Sequence, residues 1–503
     1  MTQPNDLDAA LVLSRFGLGA RADSLASIGQ DPRNALKQEI AARFVPVPTG
    51  PELKPSPDLV AELLAFQQQR MAKPAATTPA PTPAPNNMAP AKMPPATPSM
   101  AAPPTAAPSM AMRQPTAMQA EARTPPRQPA EPYVPQAILL AEVDARFNGT
   151  IHEPVIGFGE RLAMFWANHF AVAIAKDEYV HILAGAFERE AIRPHVFGRF
   201  EAMLQAVETH PAMLVYLDNQ QSIGPNSKAG LRTKRGLNEN LAREIMELHT
   251  LGVDGGYTQA DVTTMARVLT GWTMVGKAAA RGQPGTFTFN PGTHEPADQT
   301  LLGVAYRDDG LAQGQAVLRD LARHPATAHH LATKLARHFV ADVPPASLVA
   351  KLAAAYTKSD GDLSAVYLAL IEAEEAWAPG LAKFRSPLEF TVALLRAGDE
   401  RPPPNRILAA LRAMGQPLWN PSGPNGFADT VDAWASSEGL STRIEVANLL
   451  AATMAGRQVD PRRFAAERLG ALLNPATADA ISHAATKAQG LSIAFLSPEF
   501  QRR

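Results

Sequence analysis

The sequence lacks cysteine and is poor in several other features that would restrict its function. Without cysteine among its 503 residues, the chain cannot form disulfides, thiolate nucleophiles or cysteine-ligated zinc and iron–sulfur centres. The formal net charge is only −1, so the composition carries no basic footprint for nucleic acid or anionic membranes. No apolar run reaches the roughly 18 residues that a membrane-spanning helix requires, and no span is predicted.

The first residues, "MTQPNDLDAALVLSRFGLGA", lack a basic start and an apolar stretch, and they carry acidic residues early. This pattern argues against a secretory signal peptide. We therefore expect a cytoplasmic protein, and the alternative is a periplasmic protein that is exported together with a partner.

Aromatic residues make up only 6% of the chain, and runs of β-branched residues are scarce. Apolar residues instead recur at helical spacing in segments such as "ERLAMFWANHFAVAI" and "HLATKLARHFV". One exception is "GTFTFNPGTHEPADQTLLGVAY", near 285–306, where two alternating segments flank a turn and predict a small β-hairpin. The predicted fold class is all-α, a mostly helical body with this hairpin inserted.

Composition divides the chain into three parts. Residues 73–135 are rich in Pro, Ala and Met and have no apolar period, so a disordered, semi-extended linker is predicted there. Residues 1–72 contain helical patterns and are expected to dock on the body as an N-terminal helical segment. Residues 136–503 are predicted to form the helical main domain.

The most polar helical segment is "NENLAREIMELHTLGVDGGYTQADV", which begins at Asn238. On a regular helix with about 100° per residue, Asn240, Glu244 and Glu247 share one stripe, and Arg243 flanks it. The two carboxylates are either a solvated face paired with Arg243, or an acid–base or metal site that other segments complete. Glu244, Glu247 and Arg243 are therefore the candidate catalytic residues, and the two glutamates are candidate ligands for a divalent metal.

The end of the same segment predicts its own local structure. His249 follows Glu247 by two positions, so the two side chains cannot bind one metal ion while the helix is regular. We expect His249 to interact with free carbonyl groups at the helix end, before a left-handed Gly252. In "TQAD", Thr258 and Asp261 predict a capping box for the next helix.

Other polar residues complete the candidate sites. His294 lies at the hairpin turn, where loops often carry function, and is the third candidate metal ligand. His169 lies on the apolar face of "FWANHF", where a role in binding competes with that of a hydrogen-bonded core histidine. The remaining candidate binding residues precede or open the polar helix: Asp218, Asn219, Asn238 and Asn240.

Several segments occur in an order that resembles a known family. They include "SRFGLGAR", "FWANHF", "NENLAREIMELHTLG", "LTGW", "THEPADQTLLG", "LATKLARHFVAD", "RSPLEF" and "SPEFQ". Outside the linker, nearly the whole chain resembles the bacterial "domain of unknown function 1800" family. The resemblance implies a mostly helical protein with a co-encoded partner of the alkaline-phosphatase-like type. Two positions depart from the family pattern, since Glu295 stands where many relatives have Asp and Phe427 where many have Trp.

Two functions remain open from the sequence. The first is an interaction or maturation partner of the co-encoded phosphatase-like protein, which the resemblance and the lack of a recognised catalytic motif favour. The alternative is a metal-assisted enzyme that uses the paired carboxylates of helix 238–251. A divalent metal is the only cofactor that the pattern suggests, and neither nucleic acid nor a membrane is an expected partner.

Overall fold

The computed structural model describes residues 4–72, 133–152, 155–276 and 282–503. Residues up to Gln67 and from Tyr133 onward form one compact unit, and Gln68–Pro132 are the second. Of the second unit the structure describes only 68–72, which end a helix. The predicted linker therefore lies outside the described residues except for 133–135, where a helix already begins at Val134.

The described chain is mostly helical, which confirms the predicted fold class. The helices before residue 73 are α1 (Pro4–Leu11), α2 (Ser24–Ile28), α3 (Pro32–Ala42) and α4 (Ser56–Ala72). Those before the strands are α5 (Val134–His152), α6 (Phe158–His169), α7 (Glu178–Phe187), α8 (Phe200–Glu208), α9 (Pro211–Tyr216), α10 (Lys228–Thr233), α11 (Asn240–Glu244) and α12 (Gln259–Leu269).

A second series of helices follows the strands. It comprises α13 (Leu311–Arg323), α14 (Pro325–Phe339), α15 (Ala346–Lys358), α16 (Leu363–Glu372), α17 (Pro387–Gly398), α18 (Pro404–Ala413), α19 (Val431–Trp434), α20 (Ser437–Gly456), α21 (Pro461–Leu469), α22 (Pro475–Ser482), α23 (Lys487–Leu496) and α24 (Pro498–Gln501). Short π-helical turns lie at Val12–Phe16, Glu188–Ile192 and Ile245–His249. Short 3₁₀ turns lie at Arg193–His195, Asn219–Gln221, Glu374–Trp377 and Gly470–Leu472. Among the described residues, no helix is both long and apolar enough to cross a membrane.

Helix starts follow local capping chemistry. Thr258 and Asp261 form the predicted capping box at the start of α12, in which each side chain accepts a hydrogen bond from the other residue's backbone N–H. Helix α14 begins with Pro325 directly after His324, whose ring nitrogen accepts from the Ala326 N–H at 3.1 Å. Proline suits this first position because its missing N–H would have no partner inside the helix.

The β structure of the described residues consists of two small antiparallel pairs. Strand β1 (Trp272–Met274) pairs with β2 (Phe287–Phe289), so that Trp272 lies opposite Phe289. Strand β3 (Gln299–Leu301) pairs with β4 (Val304–Tyr306) across a two-residue turn. The hairpin predicted near 285–306 is therefore present as β3 and β4. The "TFTF" segment pairs with β1 instead of with "TLLGVAY", because the latter folds back on itself through left-handed Leu302 and Gly303.

Two buried apolar clusters form the core of this unit. One contains Phe16 and Trp166, and its aromatic contacts include Phe16 stacked on Phe339 with the ring centroids 5.9 Å apart. The other contains Met164 and Phe390. Helix α6 contributes to both clusters, and its C-terminal end therefore lies where the two cores meet.

Candidate functional site

The polar helix is not a regular α-helix throughout. Helix α11 ends at Glu244 and continues as a π-helical turn over Ile245–His249. A π-helical turn bonds residues five apart, so it rotates every later side chain away from its regular position. His249 is fully buried, and its Nδ1 lies 2.8 Å from Glu208 Oε1. The prediction that His249 interacts with the carbonyl groups of its own helix end is wrong.

Two histidines from other helices occupy that helix end instead. His330 Nε2 donates to the Leu248 carbonyl at 3.1 Å, and His169 Nε2 donates to the His249 carbonyl at 3.2 Å. The last carbonyls of a helix have no partner within it, so donors from elsewhere are needed when the end is buried. Gly252 has the predicted left-handed conformation, with φ +85°, and its backbone approaches His330 closely.

Glu244 and Glu247 are both half-buried. Burial raises the pKa of Glu244, and the negative charge of Glu247 raises it further. His249 and Arg243 oppose this rise. Arg243 does not bridge the two carboxylates. Its Nη2 instead contacts Glu239 Oε2 at 3.2 Å and donates to a side chain of α12. The catalytic roles of Glu244, Glu247 and Arg243 remain predictions.

The candidate binding residues around this helix have local structural partners. Asn238 Oδ1 accepts from the Asn240 N–H at 2.9 Å, which orders the start of α11, and the Asn240 side chain is exposed. Asn219 is buried, and its Nδ2 donates to the carbonyls of Leu269 and Trp272. Asp218 forms an ion pair of 2.6 Å with a lysine. These contacts give each residue a structural role, and the binding role of these residues remains a prediction.

The predicted metal ligands do not come together as a metal site. His294 is buried, with Nδ1 2.8 Å from the Thr270 carbonyl and Nε2 3.7 Å from Asp308. In the described ranges, no three His, Asp or Glu side chains are arranged to hold one ion. The Thr270 carbonyl at the end of α12 holds the His294 ring in its own loop, and the metal-binding roles of Glu244, Glu247 and His294 remain predictions.

A pocket of about 400 Å³ lies at the C-terminal end of α6. Its wall combines side chains from α6, from α14 and from the segment after α18. Polar lining residues include Asn168, His169, His330, Lys334, His338 and Asp429. His169 was predicted either as a binding residue or as a core histidine. Its side chain is only 2% exposed, lines this pocket and donates a hydrogen bond to the His249 carbonyl in the core.

Helix α14 contributes a stripe of three polar residues to this wall. His330, Lys334 and His338 are spaced four residues apart and therefore share one face of the helix. Lys334 is half-buried, and it makes no hydrogen bond or ion pair with any residue that the structure describes. Burial lowers the pKa of Lys334 to about 8, against the attraction of Asp429. A lysine in this setting is a free cation or a free amine within the pocket.

The pocket histidines are held in the neutral form. Burial lowers the pKa of both His330 and His338 to about 4, and lowers that of His169 well below its ordinary value. Arg161 Nε donates to His338 Nε2 at 3.0 Å, so that nitrogen carries no proton. His338 Nδ1 then donates to Asp429 at 2.6 Å. The histidines thus supply no positive charge, and Lys334 remains the free cation among these residues.

Asp429 stays ionised beside this neutral histidine. Burial alone would raise the pKa of Asp429, but His338 and the cations Arg503 and Lys383 hold it well below its ordinary value. Lys383 Nζ lies 3.2 Å from Asp429 and Arg503 Nη2 lies 3.6 Å from it. We attribute the lowered pKa mainly to these two permanent cations, because the bond from Arg161 keeps His338 neutral. The Asp429 charge is already balanced within the protein.

Arg146, on α5, also lines the pocket. Its side chain is only 3% exposed, and its Nε contacts both oxygens of Glu188 at 3.0 Å. Its Nη1 is buried and has no hydrogen-bond partner among the residues that the structure describes. A buried donor without a partner is costly, so a bound acceptor would stabilise this arrangement.

The segment after α18 closes over the end of α6. Asn168 Nδ2 donates to the Phe427 carbonyl and Asn168 Oδ1 accepts from the Phe427 N–H, both at 2.8 Å. Gly426 has φ +72°, and a Cβ there would lie 2.3 Å from the Asn168 carbonyl oxygen. This position therefore requires glycine, because any side chain would push the segment away from α6.

The family model described as "Protein of unknown function (DUF1800)" matches residues 11–502. The chain belongs to this family. No curated protein and no solved structure matches the chain. The match confirms the resemblance seen in the sequence, and the family description names no activity, partner or cofactor.

For this member of the family, the sequence reasoning missed most of the pocket. The spacing of His330, Lys334 and His338 in "HLATKLARHF" could have indicated one polar helix face, since positions four apart lie on the same side of a helix. Arg146 and Asp429 gave no local signal, because each belongs to the pocket only through contacts with distant segments.

Proposed function

We propose that this chain binds a small organic anion in the α6–α14 pocket, with Lys334 as the charged contact. The observation that carries the proposal is a lysine in the pocket wall that has no partner among the described residues. Burying a charge without a partner costs free energy, and an anionic ligand would provide the missing partner.

The composition of the wall narrows the class of ligand. The volume of about 400 Å³ suits a small molecule. Phe165, Leu418 and Trp419 give the pocket an apolar part, and Arg146 adds a guanidinium to its wall. The nearby acids do not compete for Lys334, since Glu188 and Asp429 already have cationic partners. An aromatic or aliphatic carboxylate or phosphate monoester combines the required charge and apolar body.

The test compares ligands that share a benzene ring and carry an anionic, neutral or cationic group. Benzoate and phenyl phosphate should raise the Tm of the protein, whereas benzyl alcohol and benzylamine should not. At a ligand concentration of about 100 times Kd, the stabilisation is roughly 2.7 kcal/mol, or a few degrees for a chain of this size.

Variants at Lys334 decide whether the shift arises in this pocket. Lys334→Met should abolish the shift and Lys334→Arg should retain it. Lys358→Met removes an exposed lysine at the end of α15 and serves as the matched control. Equal shifts in Lys334→Met and in the wild type would refute the assignment.

A second candidate function is the interaction with a co-encoded phosphatase-like protein that the family resemblance implies. An exposed basic surface supports it. Lys228, Arg232, Lys234 and Arg235 are all exposed, without ion pairs to the described residues. Leu231 among them is 72% exposed. Four unpaired cations beside an apolar side chain suit an acidic protein surface.

Co-expression and pull-down of the two proteins test this interaction. Reversing the charge of Lys234 and Arg235 to Glu should weaken binding, and added salt should weaken binding to the wild type. The matched control replaces exposed Arg406 and Arg412 of α18 with Glu, which changes the net charge by the same amount at another place on the surface. No association of the wild-type proteins at micromolar concentration would exclude the interaction.

The metal-assisted alternative on helix 238–251 keeps a direct test, although no geometric observation favours it. Adding Mn²⁺ or Zn²⁺ should raise the Tm of the wild type if Glu244 and Glu247 bind an ion. The shift should then be lost in Glu244→Ala. An unchanged Tm in the wild type would end this alternative.

A further inference from the structure

The Lys334 amine supports a further step, which rests on the proposed anion binding. We infer that Lys334 is a nucleophile that condenses with the carbonyl group of an oxo acid bound in the pocket and forms an imine. The substrate class is thus a small carbonyl compound that also carries a carboxylate.

The first requirement is an amine with an available lone pair. Lys334 Nζ donates to no described residue, so no hydrogen bond or ion pair has to break before it reacts. Burial lowers the pKa of Lys334 to about 8, so roughly a tenth of the amine is unprotonated at pH 7. An exposed lysine of ordinary pKa, near 10.4, is unprotonated to well under a thousandth at that pH.

The second requirement is a balanced reaction that the pocket can accommodate. The nitrogen lone pair attacks the carbonyl carbon and forms a C–N bond. The carbonyl oxygen then leaves as water with the two protons that the neutral amine loses, and no oxidant or reductant is needed. A protonated imine carries the same single positive charge as the lysine ammonium. Asp429 favours that charge, Arg337 opposes it, and the neutral His330 and His338 do not repel it.

The third requirement is a separate contact for the carboxylate, because Lys334 itself is consumed. We assign this contact to Arg146, because it lines the same pocket as Lys334 and its buried guanidinium has a nitrogen, Nη1, without a hydrogen-bond partner among the described residues. Arginine is suited to carboxylates because its planar donors match the two oxygens. Phe165 and Leu418 add apolar surface to the same pocket. These contacts favour an oxo acid over a neutral aldehyde.

Reductive trapping tests the inference on the full-length protein. Glyoxylate is added with cyanoborohydride at pH 7, and the modified peptides are identified by mass spectrometry. The expected product is one carboxymethyl group on Lys334, formed at least about tenfold faster than on exposed Lys358. Propionaldehyde, which has no carboxylate, should label Lys334 more slowly than glyoxylate does.

Variants separate this inference from the proposed binding function. Lys334→Arg keeps the positive charge but cannot form an imine, so it should lose the adduct and retain the Tm shift with benzoate. Arg146→Gln should slow trapping by glyoxylate more than trapping by propionaldehyde. Labelling of Lys334 no faster than that of Lys358 overturns the imine, whatever the benzoate result. If benzoate does not raise the Tm of the wild type, the binding function is overturned, whatever the result of the trapping experiment.

Discussion

Replacing Lys334 with methionine should stabilise the protein in the absence of ligand. Methionine has a similar length and flexibility but no charge, so it fills the same space without the cost of desolvation. A functional lysine is commonly retained at the expense of stability, and its removal exposes that cost. The same change should abolish anion binding, so stability and binding should move in opposite directions.

The size of the effect follows from the pKa. A pKa lowered from 10.5 to about 8 corresponds to about 3 kcal/mol of lost stability at neutral pH, at 1.36 kcal/mol per pH unit. Water in the pocket screens part of this cost, so we expect a gain of about 1–3 kcal/mol at pH 7 for Lys334→Met. Between pH 8 and 10.5 the unfolded chain binds more protons at this residue than the folded chain does. Wild-type stability therefore rises with pH in this window, and the advantage of the variant shrinks.

Urea denaturation of the wild type, Lys334→Met and Lys358→Met at pH 7, 8, 9 and 10 measures this difference. The Lys358 variant should match the wild type within about 0.5 kcal/mol at every pH, because exposed positions contribute little. The reasoning is refuted if Lys334→Met is less stable than the wild type at pH 7. It is refuted equally if the difference between them does not change with pH.

Three further predictions concern the residues around the pocket. Glu208→Ala should lower the free energy of unfolding by about 3 kcal/mol or more in urea denaturation, because it leaves buried His249 without its partner; a change below 1 kcal/mol would contradict this. Gly426→Ala should weaken benzoate binding in calorimetry, since its Cβ would clash with α6, whereas Gly415→Ala has a similar φ of +87° with open space and should not. Acidification from pH 6.5 to 5 should cost about 2 kcal/mol at His330, whose pKa is lowered to about 4, because the unfolded chain takes up the proton first. His330→Gln should show a correspondingly flatter dependence of Tm on pH, and an unchanged slope would count against a neutral His330.

Local chemistry was readable from the sequence where neighbours along the chain decide it. The capping box of Thr258 and Asp261 was predicted because both partners lie within one helical turn. The helical fold class followed from apolar residues at helical spacing, and the left-handed Gly252 from its place after a helix end. The hairpin was located correctly, but the partner of "TFTF" was not, since β1 lies on the far side of a connection.

The π-helical turn at Ile245–His249 shows where such reasoning ends. The regular helical period placed His249 away from the carboxylates and at the helix end. In the folded protein, Glu208 draws the ring into the core, and His169 and His330 take over the free carbonyls. A π-helical turn is unfavourable in isolation and persists only where surrounding contacts stabilise it. A local pattern cannot contain those contacts.

The sequence by itself determined the helical class, the capping box of α12 and the family, because these depend on spacing and composition within short segments. Only the tertiary structure decided which residues form the pocket. Asn168 contacts Phe427, which lies 259 residues further along the chain, and His338 contacts Asp429, which lies 91 residues further along. The pocket with unpaired Lys334 exists because α6, α14 and the segment after α18 pack together there. Which side chains are left without a partner depends on that packing, since burial and the choice of partners are properties of the assembled fold.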